Sequence, residues 1–224
     1  MSQAATFAPG PRRVNPVAPA AHPRYERRMK TVIILAAALA ATVQCAHAQS
    51  DWTPAERIET YAVSGTTGIE LYRSIGERGP EVGPTRAIAL TTYELTWTRD
   101  YRPENGGCML KTARPKLTVV YKLPKPAGKL PAATERLWAT FIAGIEKHER
   151  VHGDIIVETV REIERQTVGL RVEGDSGCKA TRAEVQKRLA PLAANMRRRG
   201  GEFDKVEMSN GGNVHQLILA LVNG

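Results

Sequence analysis

The chain has 224 residues, 42% hydrophobic and 25% charged, with 32 Lys and Arg against 23 Asp and Glu. That composition suits one globular domain: it is too apolar for wholesale disorder and has no apolar run long enough for a multi-span membrane protein. Three cysteines and no short repeat exclude a cysteine scaffold, collagen and a coiled coil.

Residues 1–28 are rich in Pro, Ala and Arg without apolar periodicity, and read as a disordered leader or as sequence upstream of a true start at Met29. From Met29 come one lysine, an apolar run from Thr31 to Val43, and Ala46-His47-Ala48. This is the layout of a secretory signal peptide over 29–48, with cleavage expected before Gln49. The run is too short for a membrane span, for which about 20 apolar residues are needed. The mature domain is therefore 49–224, and the expected location is periplasmic or secreted. Cleavage removes six basic residues and one acidic one, leaving a charge of +4. No nucleic-acid partner is expected from so small a bias.

Arg57–Val63 reads as a short strand and Gly68–Ile75 as a short helix, with Ile69, Tyr72 and Ile75 at helical spacing. Gly79-Pro80 and Gly83-Pro84 break the chain. Alternation of Ala87, Ala89, Thr91, Tyr93, Leu95 and Trp97 predicts a strand over Arg86–Trp97. The turn-rich stretch Arg102–Gly107 reverses it into a second strand, Cys108–Leu123, with an interruption expected near Pro115. Pro124–Pro131 reads as a linker. A long helix follows, on which Trp138, Phe141, Ile145, Ile155, Ile156, Thr159 and Ile163 share a stripe about 100° wide. A second helix is predicted over Thr181–Arg199, and the tail from Phe203 reads as a loop with a final strand. The result is an α+β chain: an antiparallel hairpin, then two helices. Cys108 and Cys178, the two cysteines of the mature chain, suit one disulfide in an oxidising compartment.

His148-Glu149-Arg150-Val151-His152 contains HExxH, and both histidines fall on the buried stripe. Two histidines four apart on a helix are separated by about 6 Å of rise, so their imidazoles can converge on one ion. Glu149 lies at the edge of that stripe, beside the ligands, where a general base for a metal-activated water belongs. Zinc is the cofactor this pattern suggests. For the third ligand the sequence leaves Glu184, Asp204 and His215 open. Glu158 follows His152 by six residues but lacks the glycine that would turn it back, and reads as a solvent-face residue.

The residues Tyr61-x-Val63-x-Gly65, Leu71, Gly79-Pro80, Ala87 through Thr91-Thr92 to Trp97, Cys108, Leu123-Pro124, Trp138, Phe141 and HExxH together resemble a bacterial family of predicted secreted zinc-dependent proteases, classed as a domain of unknown function. The resemblance implies a zincin-like fold, with His148 and His152 as zinc ligands and Glu149 as catalytic base. Members of that family often end in Tyr-Asp-x-x-Thr-x-His-Gly. This chain has Phe203-Asp204-Lys205-Val206-Glu207-Met208-Ser209-Asn210, which keeps only the Asp; Asp204 is accordingly taken as the third ligand. The function expected is an exported zinc endopeptidase acting on peptides or proteins through a zinc-activated water, with Glu149 as general base. The alternative is a catalytically impaired periplasmic binding or assembly module on the same fold.

Overall fold

The computed structural model describes residues 51–224. The leader and signal peptide expected over 1–48 lie outside the described residues. In order come β1 (Ala55–Val63), α1 (Gly68–Arg78), β2 (Glu81–Val82), β3 (Thr85–Arg86), β4 (Leu90–Glu104), β5 (Gly107–Pro126), α2 (Ala132–Thr167), β6 (Arg171–Glu173), α3 (Lys179–Met208) and α4 (Asn213–Asn223). The class is α+β, with a mixed sheet and four helices.

The centre is the β4–β5 hairpin, longer than its alternation suggests. Asn105 and Gly106 both have positive φ (49° and 77°), the conformation a two-residue hairpin turn demands, so the strands continue to Glu104 and from Gly107. β4 starts at Leu90, not Arg86. β5 is not interrupted at Pro115, which pairs with Trp97; the register slips instead between Asp100 and Tyr101. Proline is tolerated because β5 has only one neighbour there: β1 joins it, in parallel, from Thr118 onwards. Pro124 and Pro126 lie beyond Lys122, where β4 has ended and only β1 remains. A proline lacks a donor, and in each case one side of the strand needs none. The parallel β1 makes the sheet mixed where an antiparallel one was expected. The linker before α2 shrinks to Ala127–Pro131, because β5 runs on to Pro126.

Leu117, Val119, Tyr121 and Leu123 of β5 face α2 and bury against Trp138, Phe141, Ile145, Ile156 and Val160. The stripe on α2 therefore packs on the sheet as its periodicity implies. α1 is longer than expected and starts at a capping box between Thr67 and Glu70. Its buried face carries Leu71 and Ile75, while Ile69 is exposed.

Two C-terminal expectations are overturned. α3 does not stop at Arg199 but runs through Gly200-Gly201 to Met208. Each glycine costs a helix about 1 kcal/mol, and the packing of α3 along α2 outweighs that. Contacts of Arg188 with Gln166, Arg199 with Glu158 and Asp204 with His152 show the two helices running antiparallel. The tail after Ser209–Gly212 is a helix, α4, not a loop and strand. Val214, Leu217, Ile218 and Leu221 have the i, i+3, i+4, i+7 spacing of a helical face, and Val214 and Leu221 are fully buried. α4 approaches α1 so closely that a Cβ on Gly68 would lie 1.7 Å from the Leu221 carbonyl oxygen.

A second apolar cluster of Leu110, Ala113, Leu170 and Val185 lies beneath the start of α3. There Cys108 and Cys178 form a disulfide, Cα atoms 5.2 Å apart. Asp175 completes the anchor, accepting from the Thr181 backbone N–H at 2.7 Å. The disulfide joins residues 70 apart in sequence, so loop-closure entropy assigns it about 4 kcal/mol. The double variant Cys108→Ser/Cys178→Ser is expected to lose stability of that order in urea unfolding while retaining its helix content.

Candidate metal centre

The polar residues of α2 meet partners from two other elements. His148 and Glu149 are buried, at 9% and 6% exposure, and His152 is half-buried. A carboxylate and an imidazole cannot remain in such a place without polar contacts. Thr91 of β4, on the sheet face that packs against α2, donates its hydroxyl to Glu149 Oε2 at 2.6 Å. Burial pushes the Glu149 carboxyl up from its ordinary range, and the Thr91 hydrogen bond offsets only part of that.

From the other side comes Asp204, carried on the last turns of α3. Its Oδ1 is 2.8 Å from His152 Nε2 and 3.2 Å from His148 Nε2, and the two Nε2 atoms are 3.2 Å apart. Three donor atoms thus converge on one point, the pattern of a cation site. Burial raises the Asp204 carboxyl, but the His148 and His152 contacts dominate and hold it well below the carboxylate range. For His152 burial works downward, and the bond to Asp204 reverses it to a net rise. Phe203 stacks on the His148 ring, centroids 4.7 Å apart and planes 22° apart, which fixes the ring's plane. Gly200 faces the His152 ring, where a Cβ would stand 3.4 Å from Nδ1, in ordinary contact.

Of the residues considered from the sequence, His148, Glu149, His152 and Asp204 are brought together. The other candidates are elsewhere. Glu158 pairs with Arg199 at the surface, and Glu184 pairs with Lys187 and Arg188 on the first turns of α3. His215 accepts from the Gly211 N–H at 3.3 Å, closing the turn into α4. Thr91, Phe203 and Glu207, whose Oε2 is 3.7 Å from His148 Nδ1, were missed as site residues. The sequence marks Thr91 only as one member of the alternating face of its strand.

The centre opens on a cleft of about 770 Å³, bordered by residues 87–93, α2 and the end of α3. Its walls include Tyr72, Ile155, Met196, Met208 and Val214, so apolar groups surround a polar floor.

In the metal-free protein the Asp204–His152 contact has a definite pH signature. The lowered Asp204 contributes stability above the unfolded carboxylate value, lost as pH falls. The raised His152 contributes below the unfolded imidazole value, lost as pH rises. The stability difference between wild type and Asp204→Asn in chelator is therefore expected to peak between about pH 4 and pH 6.5. A pH-independent difference in urea titrations would show that the contact is not formed.

No curated protein and no solved structure matches the chain. A family of bacterial proteins of unknown function, DUF922, matches residues 58–212, from β1 to the turn before α4. His148, Glu149, His152, Asp204 and Thr91 all fall inside that span, and the chain belongs to this family.

Proposed function

We propose that the protein is an exported zinc-dependent endopeptidase. The observation that carries this reading is the convergence of His148, His152 and Asp204 beside a buried Glu149, at the floor of an open cleft. The donor set fits zinc. Ligands at 2.0–2.1 Å around a tetrahedral ion stand about 3.3 Å apart, and the three edges here measure 3.2, 3.2 and 2.8 Å. A proton can bridge two of these atoms, whereas a cation satisfies all three.

Zinc, when held there, supplies a Lewis acid that acidifies water and polarises a carbonyl. The chain's own residues supply the rest. Glu149 is the acceptor for the proton of the attacking water: its carboxylate is kept beside the two histidines by Thr91, and burial raises its basicity. It then returns that proton to the leaving amine. An extended peptide has a natural seat along β4, since the outer edge of β4 has no strand paired to it among the described residues and residues 87–93 border the cleft. Backbone hydrogen bonds to such an edge bind a chain of any sequence, and the apolar walls favour apolar side chains. The disulfide suits an oxidising compartment, and no helix of the described residues is long and apolar enough to cross a membrane.

A second reading keeps the ion and drops the chemistry. It is favoured by the terminal segment, where Ser209 stands at the family's histidine position and turns its hydroxyl to the Val206 carbonyl at 2.8 Å. The protein would then be a periplasmic binding or assembly module.

Elemental mass spectrometry and peptide hydrolysis separate these. Wild type and Glu149→Gln are expected to hold about one zinc per chain, and His148→Ala to lose it. Cleavage of an unfolded protein substrate is expected in wild type and not in Glu149→Gln. Turnover retained in that variant removes Glu149 from the role; zinc without any turnover in wild type selects the binding module.

A further inference from the structure

Resting on the metal reading above, we propose that Glu207 is the outer partner of His148, accepting the Nδ1–H of the imidazole, and that Asn213 holds it there. When Nε2 of a histidine faces a cation, the ring proton sits on Nδ1 and needs an acceptor. His148 Nδ1 is buried and makes no hydrogen bond. Glu207 Oε2 is 3.7 Å away, and the Glu207 side chain is only 13% exposed. A side-chain adjustment of about 0.8 Å closes that gap to an ordinary N–H···O distance.

Three features make the pairing more than proximity. Glu207 and Asp204 are three residues apart on α3, so one face of a single helical turn presents both the inner donor and the outer acceptor to the same imidazole. The second oxygen of Glu207, Oε1, accepts from Asn213 Nδ2 at 2.7 Å, which leaves Oε2 toward His148. Asn213 in turn opens α4, whose place is set by the burial of Val214 and Leu221. The line therefore runs from the core through α4 and Asn213 to Glu207, and from there to His148. Phe203 stacked on the ring prevents it from rotating away. Glu207 is a positioning residue: it touches neither the converging donor atoms nor Glu149.

The test is zinc affinity of the purified protein, by competition with a chromophoric chelator, for wild type, Glu207→Ala, Glu207→Gln and Asn213→Ala, with thermal unfolding of each metal-free form. Glu207→Ala is expected to weaken zinc binding by about 10- to 100-fold. Glu207→Gln keeps an acceptor oxygen and should recover most of that loss. Asn213→Ala should act in the same direction, less strongly. In long-range ¹H–¹⁵N spectra of the zinc-loaded wild type, His148 should show a slowly exchanging Nδ1–H that Glu207→Ala loses. Unchanged affinity in Glu207→Ala overturns the assignment. So does an equal loss in Ala and Gln variants that follows a fall in metal-free stability, because the residue is then merely structural. A wild type that takes up no zinc fails differently, removing the metal reading itself and this inference with it.

Discussion

A helix that turns two imidazoles and a carboxylate toward the core creates a desolvation problem, and much of the structure is the answer to it. Alanine or leucine at 148, 149 and 152 would pack on the sheet without further help. With His148, Glu149 and His152 in place, two of the elements beside α2 contribute polar groups: β4 a hydroxyl, α3 a carboxylate at 204 and another at 207. The apolar stripe on either side, Phe141 and Ile145 before and Ile156 and Val160 after, makes the seating of α2 tight enough for those contacts to be held.

The antiparallel run of α3 along α2 is the second constraint. Its start is tied to the sheet by the disulfide and by the Thr181 hydroxyl donating to the Cys108 carbonyl, and its last turns reach the histidines. A 30-residue helix with little amphipathic character and Pro191 inside it has a weak claim to that length on its own. Both ends are fastened to something else, and the middle follows. α4 then fills the space beside Gly68 and Gly144, so the terminal helix serves as a wedge that keeps the end of α3 over the site.

Much of this was legible in the residues. Period-two alternation located the hairpin, period 3.6 located α2 and its buried face, and cysteine arithmetic found the disulfide. HExxH marked the two imidazoles and the carboxylate that α2 turns inward, and Asp204, which the structure brings to them, came from a resemblance. What stayed hidden depends on contacts distant in sequence. A strand's period does not name its neighbour, so the parallel pairing of β1 and the harmless position of Pro115 could not be read. Gly200-Gly201 signals a helix end wherever no partner helix compensates, and here α2 does. The segment after Gly212 was misread because an apolar run of that length suits a strand or a helix equally by composition; only its i, i+3, i+4, i+7 spacing distinguishes them. Thr91 and Glu207 look like ordinary polar residues until β4 and α3 are laid against α2.

The donor atoms of the centre come from far apart along the chain: Asp204 follows His152 by 52 residues and His148 by 56. A polypeptide made or threaded from its N-terminus presents the histidine pair early, on a helix that can form locally, and the carboxylate only after α3 has been completed and doubled back. Until then two imidazoles alone offer a loose hold on any ion. Under the proposed metal reading, capture is thereby tied to the closing of α3 on α2, and a chain halted before its final helices lacks the third donor.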